Sequence, residues 1–391
     1  MARWLRILFV IAALAAPAPA SAQQTLTDTL SFLLINRSIP TGDFTRDELA
    51  AASMRDAIIG LLQAELGTVP LASPAGGFTY RLDPDLGIYV RTSDSFGPFF
   101  VERSLTGGRG QYAFGLGYTQ SEFDNIDGRT LTDGTLVATA SQLAGEATPF
   151  DAETLTLRMR TRSATFTAHA GLTDRFDVSV AVPFVRVSFS GERLDTYRGI
   201  TFEQARAVGA ASGIGDVVVR GKYNVWRQAG TGVSVAAEAR LPTGDDENLL
   251  GSGEMIITPR VIGSAERGLL GLHGSFGYSI GGPSDALDVG AAVTVAATSR
   301  VTLVGEFLGR RINEGGRLID VTEPHPALVD VTTIRLSAAP EATSRALVSG
   351  GIRWNVGGRG LVSANVLRPL STAGLNARWV ATITFDYSFG G

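Results

Sequence analysis

Apolar and polar residues alternate one by one along most of the chain from about residue 108 onward. In residues 111–119 the even positions carry large apolar side chains, namely Tyr112, Phe114, Leu116 and Tyr118. The odd positions, from Gln111 to Thr119, are small or polar. The last such segment, residues 382–389, places Phe385, Tyr387 and Phe389 on one face. A period of two predicts β-strands with one apolar and one polar face.

The connections between these strands are alternately short and long. The short ones cover residues 171–175, 227–231, 265–268, 298–300 and 357–359, and the long ones cover 122–153, 191–213, 244–253, 282–286, 313–344 and 369–377. Barrels that span a bilayer have tight turns at one end and larger loops at the other, whereas Greek-key sandwiches have no such order. The sequence therefore predicts an all-β fold, a transmembrane up-and-down antiparallel β-barrel.

The spacing of the strands gives about 12 of them, within a range of about 10 to 14. Residues 331–336 also alternate, and we interpret them as one leg of a hairpin that extends the ninth and tenth strands. The upper limit applies if residues 331–336 and 98–103 are both additional strands. Trp226, Trp354 and Trp379 fall near strand ends, as in the aromatic girdles of membrane barrels.

The first 22 residues read as a secretory signal peptide. Arg3 and Arg6 precede the apolar run 7–16, and the small residues Ala20-Ser21-Ala22 form a cleavage pattern. The run is shorter than the roughly 18 residues that a membrane anchor needs. The chain is thus predicted to be exported, with the outer membrane as its destination.

Residues 23–95 follow another pattern. Residues 46–66 carry apolar residues at helical spacing, residues 29–35 suggest a shorter helix, and residues 78–82 with 87–90 suggest a hairpin. This short helical N-terminal segment is either a periplasmic cap or a plug in the lumen. The predicted organisation is a signal peptide over 1–22, this segment over 23–95 and the barrel over 96–391.

Composition narrows the chemistry. The chain has no Cys, which excludes disulfides, thiolate metal sites and thiol nucleophiles. The net charge of −4 gives no reason to expect nucleic acid as a partner. His169, His273 and His325 show no pattern of a metal site or hydrolytic triad, so we expect no catalytic residues, no metal and no cofactor. Residues 245–248 (DDEN) could ligate calcium, but they fit a polar hairpin loop better.

Charged side chains on the polar faces of the strands are the candidates for lining the lumen and setting its selectivity. An Arg that faces lipid near the bilayer midplane costs about 2–4 kcal/mol, so the alternating Arg158, Arg160 and Arg162 are predicted to face the lumen as an anion-attracting stripe. The alternatives are pairing with lumen carboxylates, or a solvated face above the membrane. The other candidates are Asp216, Arg220, Lys222, Glu238, Arg240, Glu306 and Arg310, whose mixed signs favour a neutralised packing network. On the opposite faces, Tyr112, Phe114, Leu116, Tyr118, Phe385, Tyr387 and Phe389 are predicted to face lipid.

Several local motifs resemble one bacterial family. They are FGPFFVER at 96–103, GRG at 108–110, GLTDRFD at 171–177, GIGD at 213–216 and, most specifically, RLPTGDDENLLGSG at 240–253. Together they resemble the outer-membrane barrels grouped as the MetA-pathway of phenol degradation family. The resemblance implies a barrel that passes small, often aromatic or hydrophobic compounds, and it supplies no catalytic residues. Such barrels usually end on an aromatic residue that the insertion machinery reads, whereas Phe389 is followed here by Gly390 and Gly391.

The function that the sequence favours is a channel or porin-like transporter for passive passage of small molecules, hydrophobic or aromatic ones included. Its expected partners are the lipid bilayer of the outer membrane, the barrel-insertion machinery and a small solute. One alternative is a plugged structural or surface-interaction barrel without transport. A second is an outer-membrane enzyme with an active site at the rim.

Overall fold

The computed structural model describes residues 24–34, 58–60, 62, 80–83, 88–91, 93, 95–228, 230–314, 317–325, 328–339 and 341–390. The predicted signal peptide and most of the helix predicted over residues 46–66 lie outside the described residues. The N-terminal segment contributes helix α1 (Leu26–Leu34) and an antiparallel pair of strands, β1 (Tyr80–Asp83) and β2 (Ile88–Arg91). This pair agrees with the hairpin predicted over 78–82 and 87–90.

The remaining strands follow in chain order, and alternation of side chains accounts for nearly all of them. They are β3 (Gln111–Ile126), β4 (Arg129–Thr130), β5 (Leu136–Leu143), β6 (Asp151–Gly171), β7 (Phe176–Tyr197), β8 (Ile200–Ile214), β9 (Val217–Gln228), β10 (Thr231–Leu241), β11 (Ile256–Arg267), β12 (Leu270–Gly281), β13 (Ala286–Thr298), β14 (Val301–Ile312), β15 (Arg317–Pro324), β16 (Val331–Ala339), β17 (Thr343–Val356), β18 (Gly360–Pro369) and β19 (Leu375–Gly390).

Twelve of these described strands form a closed antiparallel barrel. Going around it, β3 pairs with β6, β6 with β7 and β7 with β9, each strand from β9 to β14 pairs with the next, and β14 pairs with β17. β17, β18 and β19 then follow, and β19 pairs back with β3. The predicted up-and-down barrel of about twelve strands is thereby confirmed.

Tight turns join the barrel strands at one end, which we call the short-turn end. At the opposite, long-loop end β5, β8, β15 and β16 extend the wall beyond the barrel. The hairpin predicted to extend the ninth and tenth strands is confirmed as the β15–β16 pair, whereas residues 98–103 contain no strand. The long connection predicted over residues 191–213 lies between the barrel strands β7 and β9, and it forms a strand hairpin. There β7 and β8 continue to a tight turn in which Arg198 and Gly199 adopt positive φ angles of 49° and 82°.

The outside of the barrel carries a band of exposed aromatic and aliphatic side chains. Those predicted to face lipid all point away from the lumen: Tyr112, Phe114, Leu116, Tyr118, Phe385, Tyr387 and Phe389. The Phe389 ring lies 5.7 Å and 5.6 Å from the ring centroids of Tyr112 and Phe114 on the neighbouring strand. A continuous apolar belt around a closed barrel is the surface that a bilayer covers.

Among the described residues, no helix has both the length and the apolar character needed to cross a membrane.

Helix α1 packs inside the long-loop end. It begins with a reciprocal cap, in which the Asp28 amide donates to the Thr25 hydroxyl and the Thr25 amide donates to the Asp28 carboxylate. This cap starts the helix three residues before the predicted residue 29. Its apolar face, made of Leu26, Leu30, Leu33 and Leu34, is buried with inward-facing leucine, methionine and phenylalanine side chains of β6 and β7.

Candidate functional site: the barrel lumen

An irregular segment, residues 95–107, runs through the short-turn half of the lumen before the chain enters β3. We call it the inner segment. Its backbone is satisfied by inward-facing side chains of the wall: the amides of Phe100 and Val101 both donate to Glu306 Oε1 at 3.0 Å. The Phe96 amide likewise donates to the Thr302 hydroxyl at 3.0 Å. Because a buried backbone without strand partners needs such bonds, the polar residues of β14 hold this segment in place.

Other strands hold the rest of the inner segment. The Ser104 amide donates to Ser264 Oγ at 2.8 Å, and the Gly107 amide donates to Asp177 Oδ2 at 2.9 Å. The Ser95 hydroxyl lies 3.2 Å from the Thr294 hydroxyl. The inner segment therefore contacts strands around much of the wall and narrows the passage.

Charged groups add to this attachment. Glu102 of the inner segment is ion-paired with Arg220, which also binds Glu238 of β10. Arg103 Nε lies 3.0 Å from Glu266 Oε1, and both side chains are almost fully buried. A buried charge without a partner is strongly destabilising, so each of these charges depends on its pair. The pairs thus fix the position of the inner segment across the lumen.

A chamber of about 190 Å³ lies on the long-loop side of Phe100. Cavities of about 150 Å³ accommodate a benzene ring, so the chamber has room for a solute with a single ring. Part of its wall is apolar and is made of Phe100, Phe123, Ile256, Leu347, Leu367 and Leu375. The rest is polar and charged.

The charge in the chamber is predominantly positive. Arg220, Arg240, Arg260, Arg310 and Arg345 line it, against the two carboxylates of Glu238 and Asp288. Arg220 is paired with Glu238, and Arg310 Nε lies 3.7 Å from Asp288 Oδ1. Among the described residues no hydrogen bond or ion pair is found for Arg240 or Arg260. The chamber therefore combines an apolar wall with two cationic groups, Arg240 and Arg260, that can bind an anion.

Not all of the predicted lining residues reach the chamber. Arg220, Glu238, Arg240 and Arg310 do. Lys222 and Glu306 also face inward, but they bind the backbone of the inner segment. Asp216 lies between β8 and β9, where its carboxylate accepts hydrogen bonds from Gly244 and Ser252 and so holds the loop 244–253. These positions show where the residues lie, while their part in selectivity stays a proposal.

The structure contradicts the placement of Arg158, Arg160 and Arg162 in the lumen. All three are exposed, and they alternate with the buried Leu157, Met159 and Thr161, which point inward. β6 has 21 residues, about twice the length needed to span a bilayer. The arginines occupy its outer part, beyond the lipid-facing Phe166. The cost of an arginine at the midplane therefore does not apply to them.

The three histidines lie apart from one another. His169 is buried at the short-turn end with Nε2 3.6 Å from Asp177 Oδ2, beside Gly107 of the inner segment. His273 lies between the hydroxyls of Ser264 and Thr294, and His325 Nδ1 accepts a hydrogen bond from the Leu328 amide. No group of three acidic or histidine side chains suited to a metal ion is found among the described residues.

Residues 245–248 form a compact polar turn. The Asp245 carboxylate accepts hydrogen bonds from the backbone amide and side-chain amide of Asn248, at 3.2 Å and 2.8 Å. The loop also holds α1, because the Glu247 carbonyl oxygen accepts a bond from the Thr27 amide at 3.1 Å. The Asp245 carboxylate therefore stabilises the turn, and the loop contacts the N-terminal helix through the Glu247 carbonyl oxygen and the Asn248 side chain.

Sequence reasoning missed three important residues. Arg260 and Arg345 lie on the inward faces of β11 and β17. Alternation is hard to recognise in these strands, because β11 contains Pro259 and β17 contains a run of small residues. Glu102 belongs to the FGPFFVER motif at residues 96–103. Because residues 96–103 were assigned to the barrel, the sequence did not indicate that Glu102 lies inside the lumen and binds Arg220.

Comparison with solved structures finds weak similarity to several proteins, among them an outer membrane channel. An outer membrane channel from Pseudomonas putida F1 is 14% identical, with 73% of this chain and 98% of that chain covered and a TM-score of 0.47. A FadL homologue from Pseudomonas aeruginosa is 10% identical, with 82% and 98% covered and a TM-score of 0.33. The CymD monoaromatic hydrocarbon channel is 10% identical, with 73% and 90% covered and a TM-score of 0.29. At these TM-scores, the solutes of those proteins cannot be assigned to this chain.

No curated protein matches the chain. A family model does match it, over residues 127–313, and that family is described as Putative MetA-pathway of phenol degradation. The matched region runs from the long loop after β3 to the end of β14 and includes the motif at residues 240–253. The resemblance inferred from the sequence is thus confirmed: over residues 127–313 this chain is similar to the MetA-pathway of phenol degradation family.

Proposed function

We propose that this chain is an outer-membrane channel for the passive passage of small molecules. The observation that carries the proposal is the chamber inside the closed barrel, which has room for one ring and an apolar wall beside Arg240 and Arg260. The lipid-facing belt supports placement in a bilayer. The family match over residues 127–313 agrees with a barrel of this kind.

The N-terminal segment acts as the plug of this channel. Helix α1 packs with inward-facing side chains at the long-loop end, and the inner segment lies across the short-turn half. With the long-loop end outside the cell, a solute enters past α1, rests in the chamber and leaves past the inner segment. Residues 1–22 direct export and are removed, and the plug consists of α1 and the inner segment.

The solute class follows from the chamber. An apolar wall of Phe, Ile and Leu side chains favours a hydrophobic or aromatic body, and Arg240 and Arg260 favour a carboxylate or a similar anion at its end. Selectivity is set by width and lining charge, without a cofactor and without covalent chemistry. The solute is therefore a small amphipathic anion, such as an aromatic carboxylate.

A channel accounts for these features better than an enzyme does. A rim active site requires catalytic groups that are open to the outside, whereas the His169–Asp177 pair is buried at the short-turn end. A plugged barrel without transport accounts for α1 and the inner segment, but it gives no role to a chamber lined by more arginines than carboxylates. These two alternatives make different predictions for solute uptake.

Uptake into liposomes tests the proposal. The full-length protein is reconstituted in phosphatidylcholine vesicles, and entry of benzoate is compared with entry of benzyltrimethylammonium, which carries the same ring and the opposite charge. The expected result is faster entry of benzoate than in protein-free vesicles, with little gain for the cation. If neither solute enters faster than in protein-free vesicles, the structural alternative is favoured.

A further inference from the structure

The outward-facing arginines of β6 form part of a larger cationic patch. Arg158, Arg160 and Arg162 are joined by Arg186 of β7, which is also exposed and lies directly opposite Arg162 in the strand pairing. Side chains directly opposite each other on neighbouring strands have Cβ atoms about 5 Å apart. We call these four residues the outer arginine cluster.

The balance of charge around the cluster is positive. Arg160 has an acidic partner, because its Nη2 lies 3.3 Å from Glu122 Oε2. Asp124 lies further along the same face of β3. Among the described residues, Arg158, Arg162 and Arg186 have no hydrogen bond or ion pair, and the residue opposite Arg186 on β8 is the uncharged Ser212. Arg162 and Arg186 thus face each other, and no acidic side chain of the described residues is paired with either of them.

Like charges placed directly opposite destabilise a pair of strands. The arrangement of Arg162 and Arg186 is therefore unfavourable for the isolated protein. A phosphate group between them removes this cost, since its oxygens accept hydrogen bonds from two guanidinium groups at once. Arg162 and Arg186 together therefore offer two guanidinium groups to an anion that does not come from the described part of the chain.

The level of the cluster on the barrel identifies the source of the anion. On the same outer faces, the residues just toward the short-turn end are apolar: Ala164 and Phe166 on β6, Phe184 on β7 and Tyr118 on β3. Trp379, which is 43% exposed, lies between Ala377 and Val380, whose partners on β3 are Phe123 and Ser121. Tryptophan favours the boundary between hydrocarbon and headgroups. The cluster therefore lies at headgroup level, next to the acyl chains.

We propose that the outer arginine cluster binds the phosphate groups of the phosphorylated glycolipid that forms the outer leaflet, a lipid A type of molecule. Its acyl chains pack on the lipid-facing belt, and its phosphates lie between Arg162 and Arg186. The inference goes beyond the channel function and depends on it only for the outer-membrane location. Conduction in bilayers of phosphatidylcholine does not involve the cluster. The channel proposal and the lipid-binding proposal can therefore each be wrong while the other holds.

Native mass spectrometry of the full-length protein with purified diphosphorylated lipid A tests the proposal. The variant carrying Arg162→Gln and Arg186→Gln is compared with a control carrying Arg300→Gln and Arg359→Gln, two exposed arginines at the short-turn end. The double change in the cluster is expected to weaken lipid A binding roughly thirtyfold. The control variant is expected to bind lipid A as tightly as the native chain does. Binding of dephosphorylated lipid A to the native chain measures the part of the affinity that does not come from the phosphates. Equal binding by the two variants overturns the proposal.

A thermal measurement separates lipid binding from a merely structural role. In detergent without lipid A, Arg162→Gln is expected to leave the melting temperature unchanged or to raise it, because it removes a like-charge contact. With lipid A present, the native chain is expected to gain more stability than the variant does. If Arg162→Gln lowers the melting temperature equally with and without lipid A, the pair serves the fold and the proposal is wrong.

Discussion

Lys222 Nζ lies 2.9 Å from the carbonyl oxygen of Leu105, so the single lysine of the chain joins the barrel wall to the inner segment. The same ammonium group is 3.2 Å from the carbonyl oxygen of Arg103 and 3.9 Å from carboxylate oxygens of Glu102 and Asp177. A compact ammonium group can serve several acceptors at once. Lys222 therefore connects β9, β7 and the inner segment at one point.

Replacing this lysine is expected to loosen the inner segment. Lys222→Met keeps much of the side-chain length but removes the donor to the carbonyl oxygens of Arg103 and Leu105, together with the positive charge beside Glu102 and Asp177. Breaking a buried pair in this way costs about 3–5 kcal/mol of stability. We expect a lower melting temperature together with larger or more frequent openings in single-channel recordings. Arg300→Met at a short turn is the control, and equal conductance in both variants would show that Lys222 does not restrict the pore.

Fixing the inner segment to the wall should have the opposite effect. The hydroxyls of Ser95 and Thr294 are 3.2 Å apart, and the chain has no other cysteine to interfere with an introduced pair. A variant with Ser95→Cys and Thr294→Cys is expected to conduct less when oxidised and to recover on reduction. Thr294→Cys alone should not respond to either treatment. An oxidised double variant that conducts as well as its reduced form would mean that the segment does not need to move.

The chamber arginines are expected to set charge preference. Arg240→Gln with Arg260→Gln removes the two guanidinium groups that have no ion-pair partner among the described residues. The reversal potential in a salt gradient should shift toward cations. The matched control changes Arg158, Arg160 and Arg162 to Gln and removes more charge from the outside of the barrel, so its reversal potential should stay at the native value. The opposite pattern would place the selectivity outside the chamber.

Neighbouring positions on β12 test which face meets lipid. Phe276 is 54% exposed and points outward, whereas Ser275 lines the chamber. Phe276→Arg is expected to lower stability by about 2–4 kcal/mol in folding experiments with lipid vesicles, because a guanidinium group enters the hydrocarbon. Ser275→Arg places the same group in a polar lumen and should fold almost normally. Similar losses for both variants would invalidate the assignment of faces.

The fold could be predicted from the sequence because alternation reports directly on the two faces of a strand. The outward positions of Tyr112 and Phe385 and the inward positions of Arg220 and Lys222 all follow from it. Alternation says only that residues share a face, however, and the depth of that face in the bilayer comes from strand length. Arg158, Arg160 and Arg162 were misplaced for this reason, since β6, with 21 residues, is about twice as long as a strand that spans a bilayer.

The contents of the lumen could not be predicted in the same way. The inner segment has neither a strand period nor a helix period, because its backbone amides bind distant side chains. Val101 binds Glu306, which is 205 residues away in sequence, and Gly107 binds Asp177, which is 70 residues away. The chamber likewise depends on arginines from several strands that meet only in the closed barrel. Such long-range pairings leave no local pattern.

The central claim is that the barrel conducts small solutes through the chamber. Recording currents from the full-length chain in planar phosphatidylcholine bilayers tests it most directly. The account predicts discrete current steps with a preference for anions, and a concentration-dependent reduction of these steps by benzoate. Barrels that are demonstrably inserted but carry no current, both in the native chain and in Lys222→Met, would contradict it.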